Sequence, residues 1–355
     1  MQRVPNYGSF LQAYGLRNTL ESLGHRVAFI DYKAEAPVVP YEKKARQKYC
    51  IQNVALMKWA NDSFKSHVLG KNAFVYKYRL NYLKQLGIGY QKNYHTAVDV
   101  AVIGSDEVFN CLQNGFNVGF SPMLFGQNIN AKKVISYAAS FGYTDLAGLK
   151  RYQIDQTVSK YLNSFHAISV RDDNSRQIVE ALTGQAPELN LDPVLISDYE
   201  LPCVQIPYHD YVILYTYKSR IYTEEDKRAI LDFCKNNHKT LISIGNAQDW
   251  IEHRVEAAPL ELLTYFVNAD FIITDTFHGS VFSIKYNKPF ATLVRDNNRQ
   301  KLTDLLQRLK QEDRTIASFN DLQAMFEQEI SYTETNQIIL KEKEHAYAYL
   351  RKNLT

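Results

Sequence analysis

Short apolar runs alternate with amphipathic segments along most of this 355-residue chain. The apolar runs are bounded by turn residues and predict buried strands, whereas the segments between them show helical spacing. Each half of the chain contains one series of predicted strands. These strands cover residues 27–30, 98–103, 134–139, 167–170, 211–217, 241–244, 271–274 and 290–294. Strands that alternate with helices in this way predict an α/β fold with two Rossmann-like domains, mostly parallel sheets and an interdomain cleft.

The same pattern of strands and helices also predicts how the chain divides into domains. We expect an N-terminal domain over residues 1–200, a second domain over 208–315, and C-terminal helices over 316–355 that pack back toward the first domain. Only residues 1–5 precede the first predicted helix, so we expect the first strand of that domain to be absent or very short.

Residues 34–96 interrupt the alternation and look like an insertion. They contain eleven Lys or Arg against three acids, with many tyrosines between them. A solvated basic face is one interpretation. The other is a surface that meets anionic lipid headgroups at the inner membrane surface or a pyrophosphate-linked acceptor.

Composition narrows the class of protein. A hydrophobic fraction of 45% with 22% charged residues is typical of a globular protein, and a formal charge of +3 is too small to indicate nucleic-acid binding. The four cysteines form no C-x-x-C pair, which argues against a zinc site or a disulfide framework. With no signal peptide and no membrane-spanning run, we expect a cytoplasmic protein.

The most informative motif is the turn at residues 274–280, which joins a predicted strand to a predicted helix. His278 lies in this turn, and Gly279 lets the backbone approach a ligand. A helix start favours an anion, so the imidazole is suited to acid–base chemistry on an anionic substrate. The alternative, of about equal weight, is a histidine that holds the loop by hydrogen bonds.

Other residues with charged side chains directly follow predicted strands, and ligands bind at this edge of open parallel sheets. They are the acids Asp106 and Asp275 and the cations Arg171, Arg295 and Arg299. There is no Walker A loop, G-x-G-x-x-G, G-x-S-x-G or H-E-x-x-H motif, and the nine histidines are dispersed. We therefore expect transfer from an anionic small molecule with neither a metal nor a bound cofactor.

Several of these segments resemble, in order, the signature blocks of the polysaccharide pyruvyl transferase family. The blocks are Asn-Tyr-Gly at 6–8 with Leu-Gln-Ala-Tyr at 11–14, Ile-Gly-Ser-Asp at 103–106, Ser-Tyr-Ala-Ala-Ser-Phe-Gly at 136–142, Ser-Val-Arg at 169–171, Leu-Asp-Pro at 191–193, Asp-Thr-Phe-His-Gly at 275–279 and Asn-Lys-Pro-Phe at 287–290. The resemblance implies a GT-B-like arrangement. It also implies transfer of the pyruvyl group of phosphoenolpyruvate to two hydroxyls of a sugar as a ketal.

The resemblance further implies site residues. His278 matches a histidine that is important for activity in characterised members, and Arg171 matches an arginine by position. Some members have an arginine where this chain has Thr276, so Arg295, Arg299 or Lys285 would have to supply the missing charge. We expect His278, Asp106 and Asp275 to be catalytic. The expected substrate-binding residues are Arg171, Arg295, Arg299, Lys285, Asn6, Tyr7, Gly8, Ser105, Ser140, Gly279 and Ser280.

Two other functions are compatible with the sequence. The first is a glycosyltransferase of the same architecture that uses a nucleotide sugar. The second is a non-catalytic glycan-binding relative that has lost its donor site. The expected partners of a transferase are phosphoenolpyruvate and a sugar acceptor, free or lipid-linked.

Overall fold

A computed structural model describes residues 1–39, 75, 77–113, 119–217, 220–245, 248–296 and 298–355. These residues form two parallel β-sheets with helices packed around them, which confirms the predicted α/β class with two sheet-containing domains. Most of the basic insertion predicted at 34–96 lies outside the described residues. None of the described helices is long and apolar enough to cross a bilayer.

The first domain contains a four-stranded parallel sheet in the order β1-β2-β3-β4. Its elements are α1 (Tyr7–Ser22), a π-helical turn (Tyr78–Tyr82) that leads into α2 (Leu83–Gln85), β1 (Val98–Asp106), a 3₁₀ turn (Pro122–Phe125), β2 (Ala131–Ala139), α3 (Leu146–Arg151), α4 (Asp155–Leu162), β3 (Ser169–Val170), α5 (Asp173–Thr183), β4 (Glu188–Leu189) and α6 (Pro193–Ile196). Helix α5 begins after Asp172, whose carboxylate accepts from the N–H of Ser175, and ends at Gly184, which has a φ of 73°.

The second domain contains a six-stranded parallel sheet in the order β10-β9-β8-β5-β6-β7. Its elements are β5 (Tyr211–Tyr215), α7 (Glu224–Asn236), β6 (Thr240–Ile244), β7 (His253–Val255), α8 (Pro259–Asn268), β8 (Phe271–Thr274), α9 (Phe277–Lys285), β9 (Phe290–Leu293), α10 (Arg299–Arg308), 3₁₀ turns at Glu312–Arg314 and Phe319–Asp321, β10 (Thr315–Ile316), α11 (Leu322–Glu327) and α12 (Thr333–Leu354). Strands β5 and β8 are buried along their whole length, as their uninterrupted apolar runs predict for a central parallel sheet.

The prediction of a strand at residues 27–30 is wrong. These residues form no strand, and no strand precedes α1 among residues 1–6. The outer edge of β1 instead borders a groove of about 660 Å³, lined by α1, residues 25–32 and β1 itself. An apolar run becomes a strand only when its backbone groups find a ladder partner, and the groove separates this run from β1.

The two domains share apolar core. One buried cluster contains Phe10 and Leu11 of α1, Ile213 of β5, Phe282 of α9 and Leu350 of α12. Helix α12, at the end of the chain, also contacts the first sheet through the Tyr349 hydroxyl, which donates to the carbonyl of Ser136 at 2.7 Å. The cleft between the sheets is thus bounded by elements from both halves of the chain.

A partly buried carboxylate joins the domains at one point. Asp304 of α10 accepts a hydrogen bond from the main-chain N–H of Asp173, at the start of α5. Burial raises the pKa of Asp304 to about 6, opposed by the cation of Arg308 and reinforced by Asp172. A carboxyl whose folded pKa is raised stabilises the protein below its unfolded pKa and loses this contribution as the pH rises through the folded value.

We therefore expect Asp304→Asn to stabilise the protein above pH 6 and to have little effect near pH 4. The amide keeps the acceptor oxygen for Asp173 and removes the partly buried charge, which is worth at most about 3 kcal/mol for a shift of roughly two pKa units. Urea denaturation of both proteins at pH 4 and pH 8 measures the difference. A stability difference that does not change with pH would contradict this assignment.

Candidate active site

A cleft of about 330 Å³ opens between the carboxyl ends of the two sheets. Both domains line it: the first through α1, the residues before it and the end of β1, the second through the end of β5 and the start of α9. Its charged and imidazole side chains include Asp106, Glu107, Arg171, Arg220, His278 and Lys301. This is where ligands bind in open parallel α/β sheets.

His278 is the second residue of α9 and reaches into this cleft with 15% of its side chain exposed. Thr276 caps the helix because its hydroxyl accepts from the N–H of Gly279 at 2.9 Å. A Cβ on Gly279 would overlap the side chains of Thr274 and Thr276, so only glycine allows this tight cap. The turn holds the imidazole at the positive end of the helix dipole.

Helix α1 of the other domain fixes the position of the ring. Gly8 packs so closely against the imidazole that a Cβ at residue 8 would overlap it. The Gln12 side-chain nitrogen lies 2.5 Å from Nε2 of His278, while the buried Oε1 of Gln12 has no partner. With the nitrogen facing the ring, Gln12 donates to a neutral imidazole; half a turn of the amide brings Oε1 to accept from a protonated one. Gln12 can therefore form a hydrogen bond to His278 in both protonation states of the imidazole.

Arg171 and Asp192 form a buried ion pair beside the imidazole. Nη1 of Arg171 donates to Oδ2 of Asp192 at 2.8 Å, with side-chain exposures of 4% and 0%. The same oxygen lies 3.8 Å from Nε2 of His278, and the guanidinium stacks on the ring of Phe277. Burial favours the neutral form of Asp192, but His278 and Arg171 outweigh it and lower its pKa. Asp192 thus remains a carboxylate that can balance a protonated His278.

Asp106 ends β1 on the opposite wall of the cleft. Its Oδ2 accepts from the hydroxyl of Ser9 at 2.8 Å, and its Oδ1 accepts from the N–H of Glu107. Burial opposes its ionisation, yet Arg171 and His278 lower its pKa below the ordinary value. Asp106 is therefore an anion in the cleft. It is placed to accept hydrogen bonds from a ligand's hydroxyl groups rather than to donate a proton at neutral pH.

The structure gives Asp275 a different position from the one expected of a catalytic acid. Its side chain is 1% exposed and does not line the cleft. Oδ2 accepts from Nε of Arg295 at 2.7 Å, and Oδ1 accepts from the hydroxyl of Thr216. A buried carboxylate with these partners holds the β5 and β9 loops together, so we leave Asp275 and Arg295 out of the group that can touch substrate.

The other predicted substrate-binding residues fall into two groups, those that line the cleft and those that do not. Asn6 and Tyr7 line the cleft, and Asn6 caps α1 by accepting from the N–H groups of Gly8 and Ser9. Gly8 and Gly279 do not line it themselves but pack against the side chains of His278 and Thr276. Five more predicted residues do not line it: Ser105, Ser140, Ser280, Lys285 and Arg299.

Each of these five has another role. Ser105 donates to the carbonyl of Ala138, Ser140 to the carboxylate of Asp172, and the Ser280 hydroxyl pairs with that of Thr292. Nζ of Lys285 donates to the carbonyls of Leu195 and Ser197, and Arg299 is 61% exposed and pairs with Asp296. These contacts satisfy the polar groups within the protein.

Sequence reasoning missed several residues that line or support the cleft: Gln12, Glu107, Asp192, Arg220 and Lys301. Lys301 of α10 and Glu107 form an ion pair of 2.6 Å that spans the cleft between the domains. Gln12 and Asp192 lie within the family-like blocks at 11–14 and 191–193, so the resemblance could have indicated them. Arg220 and Lys301 carried no motif, because only the fold brings them to the cleft.

A family model described as polysaccharide pyruvyl transferase matches residues 6–297. No curated protein matches the chain. Among solved structures, an α,α-trehalose 6-phosphate synthase from Burkholderia multivorans is similar over 95% of this chain and 91% of its own, with a TM-score of 0.40 and 8% identity. At these values the likeness says nothing about activity.

Proposed function

Because the chain belongs to the polysaccharide pyruvyl transferase family, whose members are transferases, we propose that it moves the pyruvyl group of phosphoenolpyruvate onto a sugar as a ketal. The acceptor in this proposal is a surface or capsular polysaccharide or its lipid-linked precursor. The enzyme would reach a lipid-linked acceptor from the cytoplasm, at the inner membrane surface. No cofactor takes part, since phosphoenolpyruvate is itself the donor.

The observation that carries the proposal is the placement of His278 in a cleft shared by both domains. The imidazole stands at a helix start, with the carboxylates of Asp106 and Asp192 and the guanidinium of Arg171 around it. An imidazole placed between these charged groups can act as a general acid or a general base. The surroundings suit proton transfer next to an anionic donor.

The chemistry needs several proton transfers. C3 of phosphoenolpyruvate gains a proton while the oxygen of a first sugar hydroxyl bonds to C2 and loses its own. The bond from C2 to the phosphate oxygen then breaks, and phosphate leaves with the electron pair. A second hydroxyl attacks C2 and loses its proton, which closes the ketal. We assign His278 to deprotonate an attacking hydroxyl or to protonate the leaving phosphate, a role worth a factor of about 10²–10⁴.

The surrounding residues would orient the reactants. Asp106, held by Ser9, can accept a hydrogen bond from a sugar hydroxyl. Arg171 is neutralised by Asp192, so its contribution is a directed N–H group rather than a full surplus charge. Asn6 and Tyr7 shape the entrance from the first domain.

A thermal-shift experiment tests the donor against the nucleotide-sugar alternative. Phosphoenolpyruvate at concentrations far above its Kd is expected to raise the melting temperature, because a ligand that binds only the folded state stabilises it. Uridine and guanosine diphosphates serve as the comparison. Stabilisation by a nucleotide and not by phosphoenolpyruvate would favour a glycosyltransferase, and binding of glycan alone would favour a non-catalytic relative.

A further inference from the structure

Arg220 is a cation of the cleft wall that the sequence patterns did not indicate. It follows β5, lines the cleft, and has about a fifth of its side chain exposed. Nη1 donates to the main-chain carbonyl of Asp275 at 2.8 Å, within the turn that contains His278. The guanidinium also stacks on the ring of Tyr217, with 4.5 Å between Cζ and the ring centroid. These contacts fix its plane without using all five of its N–H groups.

The charges around Arg220 do not cancel. Asp275 is the carboxylate nearest to it, and Asp275 is shared with Arg295. Arg295 makes the closer contact, 2.7 Å against 3.4 Å for Arg220. Two guanidinium groups and one carboxylate leave one positive charge, and it resides on the side chain that faces the cleft. In contrast, Arg171 and Lys301 each have a close carboxylate partner of their own.

Two further features of the same cleft favour an anion. The first turn of α9, a helix of nine residues, directs the positive end of its dipole toward it. Independently, Nε of Arg171 is buried, in a side chain only 4% exposed, and has no hydrogen-bond partner. A buried donor without a partner is costly, and an oxyanion bound in the cleft would supply one.

We propose that Arg220 binds the phosphate group of the donor, with the first turn of α9 and Nε of Arg171 completing a phosphate-monoester site. This inference rests on the proposed function for the identity of the donor. Arg220 takes the role that the sequence analysis gave to Arg295, Arg299 or Lys285, which is to supply a positive charge to the donor. Arg220 suits the task because a planar guanidinium can donate two parallel hydrogen bonds to one phosphate.

The test is a kinetic comparison of Arg220→Gln, Arg220→Lys and the wild type. We expect Arg220→Gln to raise the KM for phosphoenolpyruvate and the inhibition constant of inorganic phosphate together, by about 10- to 100-fold. Arg220→Lys should recover part of the loss, since it keeps the charge but not the paired donors. Arg299→Gln is the matched control, because its side chain is 61% exposed and off the cleft, and should leave both constants unchanged.

The outcomes separate this inference from the proposed function. Wild-type turnover of phosphoenolpyruvate, with both constants unchanged in a stably folded Arg220→Gln, would overturn the phosphate site and leave the function standing. Absence of wild-type turnover would overturn the function. In that case the thermal shift caused by inorganic phosphate still tests the site: a shift that is equal in the wild type and Arg220→Gln would overturn it as well.

Discussion

Replacing His278 by glutamine is expected to lower kcat for transfer from phosphoenolpyruvate by about 10²–10⁴-fold. Glutamine fills a similar volume and can hydrogen-bond to Gln12, but it cannot exchange a proton at neutral pH. The side chain is partly exposed to the cleft, so the melting temperature should change little. Phosphate release, measured with a panel of acceptor glycans, gives the rate.

His345→Gln is the matched control for this variant. His345 lies on α12 and is 45% exposed, where its ring contacts the carboxylate of Glu188. The same chemical change there should leave kcat unaltered. A His278→Gln enzyme with a rate within a few-fold of the wild type would mean that His278 holds the loop rather than transfers a proton.

Adding one methyl group at Gly8 is expected to reduce kcat nearly as much as removing the imidazole. In Gly8→Ala the new Cβ would overlap the His278 ring and come within 2.6 Å of its Cε1 atom. The imidazole is the group that can yield, because the cleft is open beside it. Alanine favours the helix by about 1 kcal/mol relative to glycine, so α1 itself should not be weakened. The expected result is a folded protein whose ring is displaced from Gln12.

Gly89→Ala provides the control for this second variant, since a Cβ there has no atom within 4 Å. It should match the wild type in kcat and in melting temperature. Near-normal kcat in Gly8→Ala would show that the closeness of Gly8 to the ring has no part in catalysis. Loss of folding in Gly8→Ala would show that the ring cannot yield.

The strong periodic signals in the sequence predicted the fold well, and the weak ones did not. Strands β5, β6, β8 and β9 appear close to where uninterrupted apolar runs placed them. The two- and three-residue strands β4, β7 and β10 were missed, because each contains a single apolar residue and so forms no apolar run. Residues 27–30 have a strand-like composition but lack a ladder partner, which composition cannot reveal.

For the site, sequence reasoning found residues in motifs and missed those that folding alone brings together. His278, Asp106 and Arg171 follow strands of both sheets and do meet at one cleft. Asp275 and Arg295 also follow strands, but they form an ion pair with each other and Asp275 is buried. Arg220 and Lys301 reach the cleft from loops and helices without any local signal. Whether an ionic side chain faces substrate or a partner depends on distances of a few ångströms between distant segments, and local pattern does not encode them.

The most direct test of the central claim follows the carbon skeleton of the donor. The wild type is given phosphoenolpyruvate labelled in its pyruvyl carbons and a set of acceptor glycans. We expect label to enter one glycan in an amount equal to the phosphate released. Label transfer and phosphate release should fall together in His278→Gln. Phosphate release without label in any glycan, or undiminished label transfer by His278→Gln, would contradict it.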